Sequence, residues 1–392
     1  MTSLVALALV GAALVGAPQE AAQVAQTSAV ELVPENIEEI REVLGRAVTW
    51  LVDNQQPDGS WGTHHSPRPI EVLASVPGSH TAFKVATTAL TVSALQECAV
   101  AGDAGRSAVE RGLDFLLETY DVKRMSGLEH YNVWSFGYAL QCFGERLLSH
   151  PEGPRAKQIR KACRRLVEKL GMYQTLDGGW GYLSISGVPT FQPSDTSMSF
   201  TTATIMVGMA HVRSAGIELP EKLVARAVDH LKRSRLPDGA FLYGEYLKYR
   251  PRMGINEIKG SACRNPLCHH ALELFGESPP KPDTMVESLR DLIIRHASLQ
   301  RAALRRPIPH ESWYSISGYF YLYGYAYAAI ALRKLPAAEQ VGLWPALVKA
   351  VRVCEQPDGS FWDYPLYSYH KPYGTAFAVQ ALSHVPGIDA QD

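Results

Sequence analysis

The sequence predicts an all-helical (α/α)6 toroid, in which six helical hairpins form two concentric rings of helices. Three observations predict this fold: a turn motif that recurs with one period, two helical segments in every period, and a second helix that is richer in apolar and small residues than the first. Because one hairpin cannot bury its apolar face alone, repeated hairpins stack on their neighbours and share a continuous core.

The turn motif occurs in four near copies, and its aspartates are Asp58, Asp177, Asp238 and Asp358. These aspartates are 119, 61 and 120 residues apart, which is one period near sixty with two copies missing, near positions 118 and 298. Pro presets φ in such a turn, Asp tolerates it and Gly accepts positive φ. We therefore expect positive φ at the glycine of each copy, namely Gly59, Gly178, Gly239 and Gly359.

Each period contains a helix with polar positions before the turn and a more apolar helix after it. Amphipathic helices lie at the surface and helices that are apolar on most sides lie inside, so the first helix of each pair is outer and the second inner. The predicted outer helices are Ile37–Asn54, Ala108–Glu118, Ala156–Leu170, Glu221–Ser234, Met285–Gln300 and Glu339–Glu355. The predicted inner helices are Thr81–Cys98, Asn132–Arg146, Thr196–Ser214, Arg264–Phe275, Ser317–Lys334 and Gly374–His384. An open superhelix of short repeats is the alternative, but its period is far below sixty.

The segment 1–29 is predicted to be a signal peptide or a disordered leader, followed by one toroid domain over 30–392. Its apolar run, Leu4 to Val15, is too short to span a bilayer but suits the apolar region of a signal peptide. Cleavage is expected after Ala17 or Ala29, although no Lys or Arg precedes the apolar run. A secreted or periplasmic protein is therefore expected, with no transmembrane segment.

The charge balance argues against a nucleic-acid partner, since 38 Lys and Arg face 39 Asp and Glu. Six cysteines are few for 392 residues, so the core rather than disulfides must stabilise the fold. Cys263, Cys268, His269 and His270 lie close together in the sequence. Buried thiols, a Cys263–Cys268 disulfide and an unusual zinc site all remain open, although the spacing matches no familiar zinc motif. We expect no cofactor and no metal.

The repeated motif, written Q-x-x-D-G-x-W/F, resembles the repeats of squalene and other terpene cyclases and of protein prenyltransferase β subunits. The resemblance covers nearly the whole chain after the leader and implies the toroid fold, but fold alone does not fix function.

Both catalytic signatures that the resemblance implies are altered. Protonating cyclases carry D-x-D-D-T-A, whereas this chain has Gln192–Ser197 (QPSDTS), with Ser194 at the position of the acid. A hydroxyl cannot protonate an alkene at neutral pH. Prenyltransferases hold zinc through Asp, Cys and His, but Trp313–Ser317 contains no D-x-C and Gly374 stands at the position of the zinc His.

The remaining candidate catalytic groups are Asp195, His270 and His370, and Asp195 is alternatively a helix N-cap. Tyr319, Tyr323 and Tyr327 recur every four residues, so they share one helix face that offers an aromatic wall with hydroxyl groups. The predicted ligand-binding residues near the mouth of the barrel are His80, Tyr131, Trp134, Trp313, Tyr314, Tyr319, Tyr323 and Tyr373.

Two functions follow from these residues, and the sequence leaves open whether the protein is an enzyme. The first is an exported toroid that binds a lipid-like or saccharide ligand, or a protein partner, in its central cavity. The alternative is a divergent enzyme that acts on a terpenoid or an oligosaccharide through Asp, His and Tyr groups at the cavity mouth. Convergence of Asp195, His270 and His370 would favour the enzyme, and dispersal would favour the binding protein.

Overall fold

The computed structural model describes residues 36–65, 77–123, 131–182, 194–299, 301 and 313–389, and the predicted leader lies outside these ranges. Within them the protein is helical, and extended pairing is limited to isolated bridges such as Met198–Gly244. In this described part, no helix combines the length and the apolar character that a membrane crossing requires.

Twelve helices form the six predicted hairpins. The outer helices are α1 (Ile37–Asp53), α3 (Gly102–Thr119), α5 (Ala156–Tyr173), α7 (Glu221–Ser234), α9 (Thr284–Arg290) and α11 (Leu343–Arg352). The inner helices are α2 (Pro77–Glu97), α4 (Asn132–Ser149), α6 (Ser199–Ser214), α8 (Asn265–Leu274), α10 (Tyr321–Arg333) and α12 (His370–Ser383).

The inner helices form a closed ring, because each packs against the next and α12 returns to contact both α2 and α1. Their burial fits this position. Nearly every residue of α6 is buried, whereas α7 buries one face that includes Leu223, Ala227 and Leu231. An all-round buried helix and an amphipathic one are the inner and outer partners of a two-ring barrel. The predicted toroid is confirmed.

The turns have the predicted geometry, with φ of +85°, +96°, +90° and +84° at Gly59, Gly178, Gly239 and Gly359. The aromatic residue after each turn is fully buried. In the first turn, the Trp61 indole N–H donates to the Leu51 carbonyl at 2.7 Å, and its main-chain N–H donates to Thr88 Oγ1 at 3.1 Å.

The fifth and third repeats differ from the prediction in detail. The predicted outer helix Met285–Gln300 ends as an α-helix at Arg290 and continues as one π-helical turn, Asp291–Arg295. The predicted inner helix from Thr196 begins only at Ser199, so the N-cap assignment of Asp195 is wrong. Met198 holds the N-cap position instead. Its extended main chain bonds to the Trp180 carbonyl at 2.9 Å, which keeps the preceding residues out of the helix.

Candidate functional site

The first turns of four inner helices, α2, α4, α10 and α12, surround a cavity of about 150 Å³. The cavity is lined almost entirely by aromatic side chains, which we call the aromatic cavity. Its aromatic and imidazole residues are Phe83, Tyr131, Trp134, Tyr138, Tyr182, Tyr319, Phe320, Tyr323, Tyr367, Tyr369, His370, Tyr373 and Phe377, and Ala86, Thr87, Leu90 and Leu366 complete it. No carboxylate, lysine or arginine is among these described lining residues.

The rings pack edge-on and stacked rather than filling the centre. Tyr131 stacks on Tyr182 with ring centroids 5.6 Å apart, and Trp134 stacks on Tyr138 at 5.8 Å. Tyr373 packs edge-to-face on Phe377 at 5.8 Å. These are the separations at which aromatic pairs stabilise one another, so the walls of the cavity are held apart by their own packing.

Six of the predicted site residues line the aromatic cavity. They are Tyr131, Trp134, Tyr319, Tyr323, Tyr373 and His370. Tyr323 marks the inner limit of the cavity, because its hydroxyl lies 3.0 Å from Thr204 Oγ1 on α6. Tyr327, one turn further along α10, lies outside the cavity and its hydroxyl donates to Gln141 Oε1 at 3.3 Å.

His370 is the most polar ring in the cavity wall. It is 8% exposed, packs against Tyr319 and Tyr373, and its Nδ1 lies 3.4 Å from the Tyr364 carbonyl oxygen. Burial lowers the pKa of His370 to about 3, although the bond to Tyr364 works in the opposite direction. The imidazole is therefore neutral at neutral pH and is not a proton donor of useful strength.

His80 lies behind the wall rather than in it. Its Nδ1 is 2.6 Å from the hydroxyl of Tyr369, and burial lowers the pKa of His80. Since Tyr369 does line the aromatic cavity, His80 positions a wall residue and is not itself among the described lining residues.

The three predicted catalytic groups do not converge. Asp195 is exposed to solvent. His270 is buried on α8, where burial lowers its pKa to about 3 and Lys334 and His211 add to the effect. Neither Asp195 nor His270 is among the described residues that line the aromatic cavity, whereas His370 is.

Trp313 and Tyr314 also lie away from the aromatic cavity. Trp313 is 65% exposed, with the Lys259 ammonium 4.0 Å from its ring centroid. Tyr314 is buried against His296, and its hydroxyl lies 2.8 Å from Ser298 Oγ. Both belong to the packing between the fourth and fifth repeats.

The Cys–His segment does not form one site. Cys263 and Cys268 are buried free thiols. His269 Nε2 lies 3.1 Å from the Gly239 carbonyl oxygen, whereas His270 Nδ1 has no hydrogen-bond partner among the described residues. Burial lowers the pKa of His269 to about 4, so its ring is neutral at neutral pH. The ring therefore donates its Nε2–H to the Gly239 carbonyl oxygen, in the turn of the fourth repeat.

Gly374, at the position that corresponds to the prenyltransferase zinc histidine, has no room for a side chain. A Cβ on Gly374 would lie 2.8 Å from the Phe361 carbonyl oxygen. No side chain fits there, so the glycine is required by close helix–turn packing.

One group of described residues has metal-ligand geometry: Asp177, His230 and Glu245, whose ligand atoms lie within 4.8 Å of one another. However, Arg233 donates to both Glu245 oxygens, at 3.1 and 3.0 Å, and His230 Nδ1 is 3.2 Å from Glu245 Oε2. These bonds, with His230 the largest cause, lower the pKa of Glu245 to about 2. Arg233 and His230 thus already balance the charge of the Glu245 carboxylate. The group therefore fits a structural link between the third and fourth repeats.

Sequence reasoning missed Asp363, a fully buried carboxyl group behind the cavity wall. Burial raises the pKa of Asp363 to about 7, although Leu322 N–H donates to its Oδ2 at 3.0 Å. It thus caps the first turn of α10 from the neighbouring repeat. Nothing in the loop Trp362–Tyr364 signals this role, because the capped helix is distant in sequence.

Comparisons with known proteins agree with this architecture. Residues 24–141 match the sequence model of the squalene-hopene cyclase C-terminal domain. Drimenyl diphosphate synthase of Streptantibioticus cattleyicolor is 27% identical over 206 residues, which are 51% of this chain and 32% of that protein. The chain thus spans about a third of the length of this relative.

Solved structures are similar at the level of the fold. The type II terpene cyclase MstE from Scytonema superposes with a TM-score of 0.53 and 14% identity, over 91% of this chain and 100% of that one. The α-1,6-mannanase GH76A of Salegentibacter sp. HEL1_6 gives 0.52 at 8% identity, over 89% and 99%.

The fold and the repeats therefore define a terpene cyclase-like α/α toroid. The resemblance that the repeated motif indicated is confirmed, and glycoside hydrolases share the same architecture. At these identities the likeness shows the fold and leaves the activity to be inferred from the site.

Proposed function

We propose that this toroid binds a small apolar ligand, a prenyl chain with a polar end, in the aromatic cavity, without transforming it. The single observation that carries the proposal is an open cavity walled by aromatic rings and lacking a charged side chain among its described lining. Such a wall favours apolar and polarisable groups and offers no partner for a charged one.

The volume of the cavity limits the size of the ligand. An apolar cavity of about 150 Å³ in a protein core is known to bind benzene, so this one suits a group of about one or two isoprene units. Tyrosine hydroxyls and Thr87 at the wall supply hydrogen bonds for one alcohol group. A saccharide needs many more polar partners than this wall offers.

The sequence comparisons favour a terpenoid over a sugar as the ligand. The sequence relative is named for a drimenyl diphosphate product, and a variant of MstE has been solved with its substrate geranylgeranyl dihydroxybenzoate at a TM-score of 0.52. Those ligands belong to those proteins. They support the proposal that the cavity in this shared fold accepts isoprenoid groups.

A general acid–base reaction is the second candidate, and Asp363 is the observation that favours it. A carboxyl group with a pKa of about 7 exchanges protons readily at neutral pH. The pKa of the wall residue Tyr373 is raised by burial and, to a smaller extent, by the charge of Asp363. However, Asp363 is a much weaker acid than an ordinary carboxyl group, which is the wrong direction for protonating an alkene. Turnover of a prenyl alcohol that Tyr373→Phe abolishes would favour this candidate.

We further propose that the protein acts outside the cytoplasm. The apolar segment Leu4 to Val15 and the small residues after it support export. The family match begins at residue 24, which favours the shorter leader that ends at Ala17.

Intrinsic tryptophan fluorescence tests the proposed function, because Trp134 lies in the cavity wall. Geraniol should quench it saturably, and Ala86→Phe, which fills the cavity, should abolish the quenching. Ala104→Phe is the matched control, since Ala104 is exposed on α3. Equal quenching in both variants would place the ligand elsewhere and end the proposal.

A further inference from the structure

Two of the four repeated turns pair their aspartate with a lysine. Asp58 Oδ2 lies 2.6 Å from Lys84 Nζ, and Asp358 Oδ2 lies 2.5 Å from Lys371 Nζ. Asp177 accepts from the Ser197 main-chain N–H at 3.4 Å. Each lysine comes from the inner helix of the same repeat.

The turns of the third and fourth repeats lack this lysine. In the first and sixth repeats the lysine stands four residues before the threonine whose Oγ1 accepts from the motif aromatic, Thr88 or Thr375. In the fourth repeat Asn265 accepts from Phe241 instead, and the residue four places earlier is Ser261. Among the described residues, Asp238 forms no ion pair, and its Oδ1 accepts from the Ala240 N–H at 3.1 Å.

The turn of the fourth repeat also lacks the close contact with the next outer helix that the turns of the first and third repeats make. A Cβ on Gly59 would lie 2.4 Å from the Arg111 carbonyl oxygen of the next outer helix, and one on Gly178 would lie 2.5 Å from that of Arg226. A Cβ on Gly239 would meet nothing within 4 Å. The space between this turn and the next outer helix, α9, is a cleft of about 260 Å³, which we call the fourth-turn cleft.

The lining of the fourth-turn cleft is polar and acidic. Asp238, Asp283, Glu287 and Asp291 outnumber its two cations, of which Arg295 already pairs with Glu287 and Asp291. Ser288 also lines it. This residue is 6% exposed, and its Oγ has no hydrogen-bond partner in the described structure. The Ser288 hydroxyl is therefore a buried polar group in the cleft wall that the described residues leave without a hydrogen bond, and Asp238 is an exposed carboxylate in the same lining.

We propose that the fourth-turn cleft binds an alkylammonium group, held by Asp238 in the way that Lys84 and Lys371 are held by their aspartates. The carboxylates of the cleft form no metal-ligand cluster of the kind found at Asp177, so a compact cation with several N–H donors fits better than a divalent ion. The Ser288 hydroxyl accepts a second N–H from the same ammonium. The group comes either from a free aliphatic diamine or from a lysine side chain.

Isothermal titration calorimetry of the full chain at low salt tests this site with cadaverine, because exposed charge pairs weaken as salt rises. We expect saturable binding that falls roughly tenfold in Asp238→Asn and less in Ser288→Ala. The matched control is Asp58→Asn, which alters the equivalent turn and should leave binding unchanged. N-acetyl-lysine methylamide, run in parallel, separates the two sources: binding that also depends on Asp238 identifies a lysine side chain as an acceptable ligand, and binding of cadaverine alone identifies a diamine.

The neutral analogue 1,5-pentanediol should not bind. Equal binding of the diol, or equal affinity of wild type and Asp238→Asn for the amines, would overturn the proposal, as would the failure of both amines to bind. Ala86→Phe should retain amine binding while losing geraniol binding. The proposal for the fourth-turn cleft and the proposal for the aromatic cavity are therefore tested separately.

Discussion

Gly359, in the last turn, packs on Arg46, in the first outer helix, so that a Cβ on the glycine would lie 3.1 Å from the arginine carbonyl oxygen. Glu355 adds an ion pair to Arg46 at 2.7 Å. The same relation joins Gly59 to Arg111 and Gly178 to Arg226 along the chain. The contact that links consecutive repeats therefore also closes the ring, between residues more than three hundred positions apart.

This packing makes the turn glycines unequal. Gly178→Ala should destabilise the protein by about 2–5 kcal/mol, because the methyl group must adopt positive φ and also collides with the Arg226 carbonyl oxygen. Gly239→Ala is the matched variant, with positive φ but open space around it, and should cost only about 1–2 kcal/mol. Urea denaturation measures both. Equal losses would mean that the turns do not carry the contacts between repeats.

Buried histidines should make the fold acid-sensitive. The pKa of His370 falls from its ordinary 6.5 to about 3 on folding, so the unfolded chain binds more protons between these values. Stability is then fully present above about 6.5 and is lost as pH falls toward 3, at about 1.4 kcal/mol per pH unit for each such histidine.

Replacing this ring should flatten the pH dependence. Chemical denaturation of His370→Gln between pH 6.5 and 4.5 should show a smaller loss of stability than the wild type. His150→Gln, which alters an exposed histidine, serves as the control and should follow the wild type. Parallel curves for all three proteins would show that His370 is not buried in its neutral form.

The fold could be predicted well from the sequence, because residues within each repeat determine its own turn and helices. Asp-Gly fixes each of the four motif turns and helix periodicity fixes which face is buried, so α7 was predicted at its observed ends. Exceptions arose where distant contacts decide the local structure. The start of α6 depends on main-chain bonds from Met198 to Trp180, and the capping of α10 depends on Asp363 in the next repeat.

The candidate site was predictable only in part. Tyr319, Tyr323 and Tyr373 were identified because aromatic residues near the start of an inner helix face the axis. Tyr182 and Tyr369 lie in loops, where periodicity gives no direction. His270 is not among the described lining residues, and its place on an inner helix did not reveal in the sequence whether it would face the cavity.

The cavity assignment predicts which variants change ligand affinity. Tyr373→Ala should weaken geraniol binding by roughly tenfold, because it removes an aromatic wall residue. Asp195→Asn and His270→Gln should leave the affinity unchanged, since neither side chain reaches the aromatic cavity. A loss of affinity in Asp195→Asn, measured by the same fluorescence titration, would show that the Asp195 carboxylate contributes to the ligand site.

Export predicts a shortened native chain. N-terminal sequencing of protein isolated from its source should begin at Pro18, after cleavage at Ala17, with the material outside the cytoplasm. The control is Val10→Arg, which places a charge in the apolar run and should keep the full-length chain inside the cell. Native protein that begins at Met1 in a cytoplasmic fraction would contradict this expectation.

The central claim is that the aromatic cavity holds the ligand, and a crystal structure with a brominated ten-carbon prenyl alcohol tests it most directly through the anomalous signal of bromine. We expect one strong bromine peak between the side chains of Tyr131, Tyr319 and Tyr373. This peak should disappear in Ala86→Phe. A protein that binds the compound in solution but shows its bromine outside the aromatic cavity would contradict the claim.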